Sequence, residues 1–300
     1  MADIYRYLYQ WLDQLALQQH STHTLEAYHR DVDMFLKYCQ QHGLALQQLE
    51  KSDLRQYLSF CIEHKKWSNQ SMQRALSSIR QFMQWLQQQD ILTSIALQDL
   101  SLKREPRALP GMLSEESISQ LLDQAIPENP QEQWLWYRDK AMLELLYSSG
   151  LRLSELVNLP LNAIDWSEKL LRITGKGNKT RLIPFGQKAE QALNHWLSLR
   201  QSKNPQHDFV FIAKSGQKIS DRQVQNRIKH QAQRAGLSAD IHPHLLRHCF
   251  ASHLLSASGE LRAVQEMLGH SNLGTTQIYT HLDFAHLAKV YDQSHPRAKK

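Results

Sequence analysis

A chain of 300 residues with 41% hydrophobic residues is long enough for about two domains and can bury a full core unaided. Its three cysteines, Cys39, Cys61 and Cys249, are widely and irregularly spaced, which excludes a disulfide framework and a metal knuckle and favours reduced, buried thiols. No apolar run approaches the roughly 18 residues of a membrane span, and the opening MADIYRYLYQ does not resemble a secretory signal. We therefore expect a cytoplasmic protein with no membrane partner.

The net charge of +6 is unevenly distributed along the chain. Residues 1–100 hold 9 Lys+Arg and 10 Asp+Glu, whereas residues 101–300 hold 26 and 19. A clustered basic excess is the electrostatic footprint of a protein that binds a polyanion, because each neutralised phosphate releases counterions. This feature alone is a weak indication, since many basic proteins bind no nucleic acid.

The first hundred residues have the periodicity of helices. Apolar residues recur at spacings of three and four in YHRDVDMFLKYC and again in MQRALSSIRQFMQWLQ, a pattern typical of amphipathic helices packed as a bundle. Many glutamines lie in this region, but the apolar stripe continues through them. The sequence therefore predicts an N-terminal helical domain over residues 1–100.

A break in the pattern follows. SLKREPRALPGMLS contains two prolines, a glycine and three basic residues, and we predict an interdomain linker over residues 101–112. Ser114, with Glu115 and Glu116 after it, then has the composition of a helix start. The second domain is predicted to span residues 113–300.

One stretch of the second domain predicts strands. KLLRITGKGNKTRLIPF has β-branched and apolar residues on both sides of a Gly-Lys-Gly-Asn turn, which favours a hairpin with Lys176 at its turn. The glycine spacing does not fit a Walker phosphate loop. The basic residues are either a solvated face or a finger that contacts phosphate, and the sequence leaves both open. They are Lys169, Arg172, Lys176, Lys179 and Arg181. The fold class is therefore mainly α with a small β-sheet or hairpin.

Two other basic groups lie at helix positions. In SSGLRLSEL, Gly150 is expected to end a helix and to leave Arg152 in the following turn. In HPHLLRHCFASHLL, His244 and Arg247 are three residues apart and share one helical face. A zinc site built on these histidines is disfavoured because no third ligand lies at a suitable spacing.

Taken singly, each of these residues favours a structural role, but their order along the chain is specific. GLRLSEL, GKGNK, HPHLLRH and LGHSNLGTTQIYTH resemble the motifs of the tyrosine recombinase (phage integrase) family over the whole second domain. The tail YTHLDFAHLAKVYD narrows the resemblance to the bacterial Xer recombinases. Cys249 departs from the family pattern, which has a small hydroxyl residue there. The catalytic residues implied by the resemblance are Arg152, Lys176, His244, Arg247, His270 and Tyr279.

The resemblance implies a two-domain clamp around DNA and a reaction with no metal and no cofactor. Arg152, Arg247 and His270 would hold the negative charge of a DNA phosphate as Tyr279 attacks it. We expect Glu155 to orient Arg152 and not to act as an acid.

The proton transfers have separate candidates. Tyrosine titrates near pH 10, so its proton must leave during attack, and His244 is the candidate base. Lys176 would protonate the leaving 5′-hydroxyl. Gly269 is expected to end one helix, and Thr275 or Thr276 to cap the next, so that His270 and Tyr279 reach one phosphate.

The resemblance also implies partners. These are a double-stranded DNA recombination site, a related XerD-like recombinase in a heterotetramer and a septal DNA translocase, acting together to resolve chromosome dimers. Apolar residues at spacings of three and four predict an amphipathic tail helix over residues 282–292, which would contact a neighbouring subunit or pack on its own core. Deletion of residues 282–300 is expected to spare DNA binding and to impair cleavage.

Two other functions remain possible on the sequence. A type IB topoisomerase uses a similar residue set but would relax any supercoiled DNA. A non-catalytic DNA-binding module would use Tyr279 only as a core aromatic. The presence of all six catalytic positions disfavours the second alternative.

Overall fold

A computed structural model of the chain describes residues 2–18, 20, 22–92, 112–175, 180–269 and 290–298. The chain divides into two compact units, residues 1–107 and 108–300. The predicted linker lies outside the described residues except for Met112, so its bounds stay a prediction.

The described residues of the first unit, which end at residue 92, form four α-helices. They are α1 (Ala2–Leu17), α2 (Thr22–Gln41), α3 (Lys51–Lys65) and α4 (Asn69–Gln88). The apolar stripes predicted on α2 and α4 face one core, in which Val32, Phe35, Ile79 and Phe82 are at most 1% exposed. The prediction of a small helical bundle is confirmed for this unit.

The second unit is mixed. Its helices are α5 (Glu115–Leu122), α6 (Pro130–Ser149), α7 (Leu153–Val157), α8 (Gln187–Arg200), α9 (Asp221–Arg234), α10 (Pro243–Ser258) and α11 (Leu261–Leu268), and its strands are β1 (Ile164–Asp165), β2 (Leu170–Thr174) and β3 (Thr180–Pro184). Helix α6 packs against α5, α8, α9 and α10, and from Ala141 onward all its residues are buried. A helix that is buried on all sides lies at the centre of a core, and α6 is therefore the helix around which this unit is packed.

Strands β1, β2 and β3 form one antiparallel sheet in that order. In the predicted hairpin, Leu171 pairs with Ile183 and Thr174 with Thr180, and residues 176–179 of the turn lie outside the described residues. Leu171, Ile173 and Ile183 point into the core. The hairpin prediction is confirmed, and the short strand β1 is an addition that the sequence analysis missed.

Local signals place the helix ends as predicted. The Ser114 side chain accepts a hydrogen bond from the Ser117 amide at the start of α5. Gly150 follows α6 with a φ of +57° in the left-handed region that favours glycine.

The three cysteines are buried free thiols, also as predicted. No helix in the described ranges combines the length and the apolar character that a bilayer span requires.

Gly150 offers a test of this close packing. A Cβ on Gly150 would lie 2.4 Å from Cδ1 of Phe250, a ring that is fully buried. Gly150→Ala should therefore lower the free energy of unfolding by about 3 kcal/mol, from the left-handed φ and the forced repacking together. Urea unfolding would measure this change.

The matched control is Gly259→Ala at the end of α10. Gly259 has a φ of +72° but nothing within 4 Å of its added Cβ, so only the backbone cost of about 1 kcal/mol is expected. Equal losses in the two variants would contradict the packing explanation.

The end of the chain packs within the second unit. Residues 290–294 are helical, and Tyr291 is fully buried in the core of that unit. Arg297 is 3% exposed and donates to Asp123 at 2.7 and 3.0 Å and to Glu144 at 3.2 Å. Deletion of residues 282–300 would therefore also remove part of this core. Residues 282–289 of the predicted tail helix lie outside the described residues, and its subunit contact stays a prediction.

Candidate active site

Arg152 lies at the junction between α6 and α7, as predicted. It occupies the N-cap position of α7, and its amide donates to Oε2 of Glu155 at 2.8 Å. Its Nη1 donates to Oε1 of the same carboxylate at 2.9 Å. The Arg152 side chain remains 40% exposed, whereas that of Glu155 is 8% exposed. Glu155 thus holds both the backbone and the side chain of an arginine that still faces solvent.

His244 and Arg247 lie in the first turns of α10. The side chain of His242 caps this helix by accepting from the Leu245 amide, and Pro243 occupies the first turn. Arg247 is half-buried and donates from Nη1 to the Gly150 carbonyl, which joins α10 to the end of α6. His244 is exposed.

Three guanidinium groups meet at the carboxyl end of α11. The last carbonyls of a helix have no partner within the helix, and the helix dipole favours positive charge near them. Each of three successive carbonyls accepts from a different arginine. The pairs are Arg181 Nε with Met267 at 3.1 Å, Arg247 Nη2 with Leu268, and Arg152 Nη2 with Gly269 at 3.3 Å. The structure therefore brings Arg152 and Arg247 to the residue that directly precedes His270.

Arg181 corrects the interpretation of the basic hairpin. It is 8% exposed and forms a two-pronged ion pair with Glu155 at 2.9 and 2.8 Å, so it is neither a solvated charge nor a free phosphate contact. Lys169 pairs with Glu190 at 2.8 Å, and Arg172 is exposed. The alternation of β3 could have identified Arg181, since it places Arg181 on the same face as the apolar Ile183.

The ionisation of the site follows from these contacts. Burial raises the pKa of Glu155, but the hydrogen bonds and charge of Arg181, assisted by Arg152, outweigh burial and lower that pKa to about 2. Burial, together with the charge of Arg152, lowers the pKa of Arg247 to about 10. At neutral pH the described part of the site therefore holds one carboxylate and three guanidinium groups, an excess of positive charge suited to an anion.

Three of the predicted site residues, Lys176, His270 and Tyr279, lie outside the described residues. Within the described ranges, Arg152 and Arg247 share the end of α11, and His244 lies one turn before Arg247 on α10. The roles of all six residues stay predictions.

Two family models match the chain. The phage integrase family model matches residues 112–286, and the model of the phage integrase N-terminal SAM-like domain matches residues 8–90. These ranges correspond to the catalytic region and to the helical bundle.

Named relatives agree with these matches. The tyrosine recombinase XerC of Pseudomonas savastanoi pv. phaseolicola is 46% identical over 289 residues, covering 94% of this chain and 93% of the relative. That of Pseudomonas aeruginosa is 45% identical over 284 residues, covering 94% and 92%. The Xer resemblance predicted from the tail sequence is confirmed, with XerC as the member it resembles.

Solved structures share the fold. The XerH recombinase bound to a palindromic difH substrate has a TM-score of 0.70 at 22% identity, covering 89% of this chain and 79% of its own. The Tn1549 transposon integrase bound to circular intermediate DNA has a TM-score of 0.70 at 17% identity, covering 93% and 98%. The predicted fold class is confirmed. Because a family model matches more than half of the chain and the relatives align along almost its whole length, the chain belongs to the phage integrase family and is a site-specific tyrosine recombinase, which exchanges DNA strands through a tyrosine nucleophile.

Proposed function

We propose that Tyr279 is the nucleophile, that Arg152, Arg247 and His270 bind the scissile phosphate, that His244 is the base and that Lys176 is the acid. The observation that carries this proposal is the meeting of Arg152 and Arg247 at the end of α11. They reach the carbonyls of Gly269 and Leu268, which are 117 and 21 positions away along the chain. Two charged forks beside the residue that leads into His270 form a suitable cradle for one phosphate.

The need for two guanidinium groups follows from the substrate. A phosphodiester repels an incoming nucleophile through its own negative charge, and more charge gathers on the non-bridging oxygens as phosphorus becomes five-coordinate. Each arginine presents a planar fork that fits two oxygens and stays charged at neutral pH. The pKa of about 10 for Arg247 leaves it protonated under ordinary assay conditions.

The bond changes balance without a further reactant. The phenol of Tyr279 gives its proton to His244, and its oxygen forms a bond to phosphorus while the bond from phosphorus to the 5′-oxygen breaks. Lys176 gives a proton to that leaving oxygen. The product is a 3′-phosphotyrosine ester and a free 5′-hydroxyl. The phosphoester energy is retained, so a 5′-hydroxyl of a second DNA can reverse the step and complete strand exchange.

We further propose that the DNA is a short recombination site on the chromosome and that the enzyme works in the cytoplasm with a related XerD-like recombinase in a heterotetramer. The XerC relatives support this assignment, in which chromosome dimers are resolved at cell division. A septal DNA translocase would act with the complex. The basic excess of residues 101–300 suits a long contact with phosphates.

The decisive experiment combines two DNA substrates. A recombination site with a nick a few nucleotides to the 3′ side of the scissile phosphate lets the short fragment with the new 5′-hydroxyl diffuse away, so cleavage should accumulate as a covalent protein-DNA band. A supercoiled plasmid without the site should stay supercoiled. Relaxation of that plasmid would favour the type IB topoisomerase alternative, and absence of both products would favour a non-catalytic DNA-binding module.

A further inference from the structure

We propose that Arg181 is a positioning residue for strand cleavage, which holds Arg152 and the carboxyl end of α11 in one fixed geometry. The inference deepens the proposed function and rests on it, because Arg152 is its proposed target. Arg181 lies on β3, its side chain is 9% exposed, and each of its three guanidinium nitrogens donates to Glu155 or to the Met267 carbonyl, so its contacts are structural.

The first connection runs through Glu155. The two terminal nitrogens of Arg181 bind Oε1 and Oε2 of Glu155 at 2.9 and 2.8 Å, and the same two oxygens accept from Arg152 Nη1 and the Arg152 amide. Arg181 therefore fixes the carboxylate that fixes Arg152. A pair of parallel hydrogen bonds defines an orientation that a single bond leaves free.

The second connection runs to α11. Arg181 Nε donates to the Met267 carbonyl at 3.1 Å, and the aliphatic and guanidinium atoms of Arg181 lie against Gly269. A Cβ on Gly269 would be 3.0 Å from Cδ, 3.2 Å from Nε and 3.3 Å from Cζ of Arg181. Gly269 also has a φ of +66°. The side chain of Arg181 thus packs against the backbone at Gly269 and fixes its position directly before His270.

These two connections use all three nitrogens of the Arg181 guanidinium group. Reacting groups displaced by about 1 Å can lose roughly a hundredfold in rate, so a residue that touches no substrate can still control the reaction. Loss of Arg181 would release Arg152 and the end of α11 together. It would also leave the buried Glu155 without its two-pronged ion pair and with the hydrogen bonds from Arg152, so the burial that raises the pKa of Glu155 would be less opposed.

The experiment measures single-turnover cleavage of the nicked recombination site at saturating protein, with binding measured separately by gel shift. Arg181→Gln should bind DNA as the wild type does but cleave about 10 to 100 times more slowly. Arg181→Lys, which retains the charge, should recover part of the rate. The cleavage rate of Glu155→Gln should be lowered to a similar extent. A double variant that carries Arg181→Gln and Glu155→Gln should cleave no more slowly than the slower of the two single variants, because both changes break the same connection.

A pH profile separates positioning from mere stability. The rate of cleavage would be measured between about pH 5 and 8. As the pH is lowered, the rate of Arg181→Gln should begin to fall at a higher pH than that of the wild type, because Glu155 becomes protonated more easily in the variant and then releases Arg152. The double variant has no carboxyl group at position 155, so it should lack this shift and keep only the acid limb that protonation of the proposed base, His244, gives the wild type. The matched control is Arg138→Gln, since Arg138 is 3% exposed and bonded to Asp139 and to the Ile212 carbonyl, outside this group of residues.

The outcomes are distinct. If Arg181→Gln cleaves no more slowly than Arg138→Gln, keeps the wild-type acid limb or adds its full effect to that of Glu155→Gln, the positioning role is wrong. Wild-type cleavage in the same assay would then leave the proposed function standing. Absence of wild-type cleavage would overturn the proposed function and this inference together.

Discussion

Tyr279→Phe should abolish the covalent protein-DNA product while leaving binding to the recombination site unchanged. Removal of the nucleophile of an enzyme that forms a covalent intermediate lowers the rate by about 10⁶-fold, so no adduct should be detectable. The change removes one hydroxyl and keeps the ring, and the fold should therefore persist. Denaturing gels of the nicked-site reaction would reveal the adduct, and gel shifts would report binding.

Tyr291→Phe is the matched control for this substitution. Tyr291 is the other tyrosine of the C-terminal segment, but it is fully buried in the core of the second unit. Its ring packs against His295 at 4.8 Å between centroids. The control should form the adduct at close to the wild-type rate. An adduct that persists in Tyr279→Phe would refute the assignment of the nucleophile.

Arg247→Ala should lower the rate of cleavage by about 10²- to 10³-fold, the cost of removing one strong donor from a site that stabilises developing negative charge. Arg247→Lys keeps the charge but loses the planar fork, and its rate should lie between those of the wild type and the alanine variant. Single-turnover cleavage at saturating protein would measure the chemical step without a contribution from weaker DNA binding.

The structural contacts of Arg247 require a control. Arg247 caps the carbonyls of Gly150 and Leu268, so unfolding must be measured for each variant and the assay run well below the unfolding transition. Arg234→Ala removes another arginine of the same unit, one that is exposed and donates to the Ala125 carbonyl at 2.6 Å. Equal rates for Arg234→Ala and Arg247→Ala would contradict a role for Arg247 in charge stabilisation.

Some features of this protein were predictable because their signals are local. The helix end at Gly150, the cap at Ser114 and the hairpin flanking residues 176–179 depend on residues a few positions apart, where turn and capping chemistry act directly. The burial of Val32 and Ile79 likewise follows from helical periodicity. The order of the motifs along the chain is also a property of the sequence, and it was sufficient to indicate the family.

Arg181 was misassigned because its partners are distant in sequence. It was grouped with the basic residues of the hairpin, but Glu155 lies 26 positions before it and Met267 lies 86 positions after it. A run of positive charge carries no information on which member meets a buried carboxylate. Only the strand alternation, which places Arg181 beside Ile183, suggested an inward side chain.

The sequence by itself determined that a helical region is followed by a mixed region, that residues 101–300 carry the basic excess, and that the motifs occur in the order that identifies the family. The tertiary structure alone decided which charges meet. It brings Arg152 to the Gly269 carbonyl across 117 positions and Arg297 to Glu144 across 153. The physical reason is that turns and periodicity act over a few residues, whereas the partner of a buried ion is chosen by the packing of the whole core.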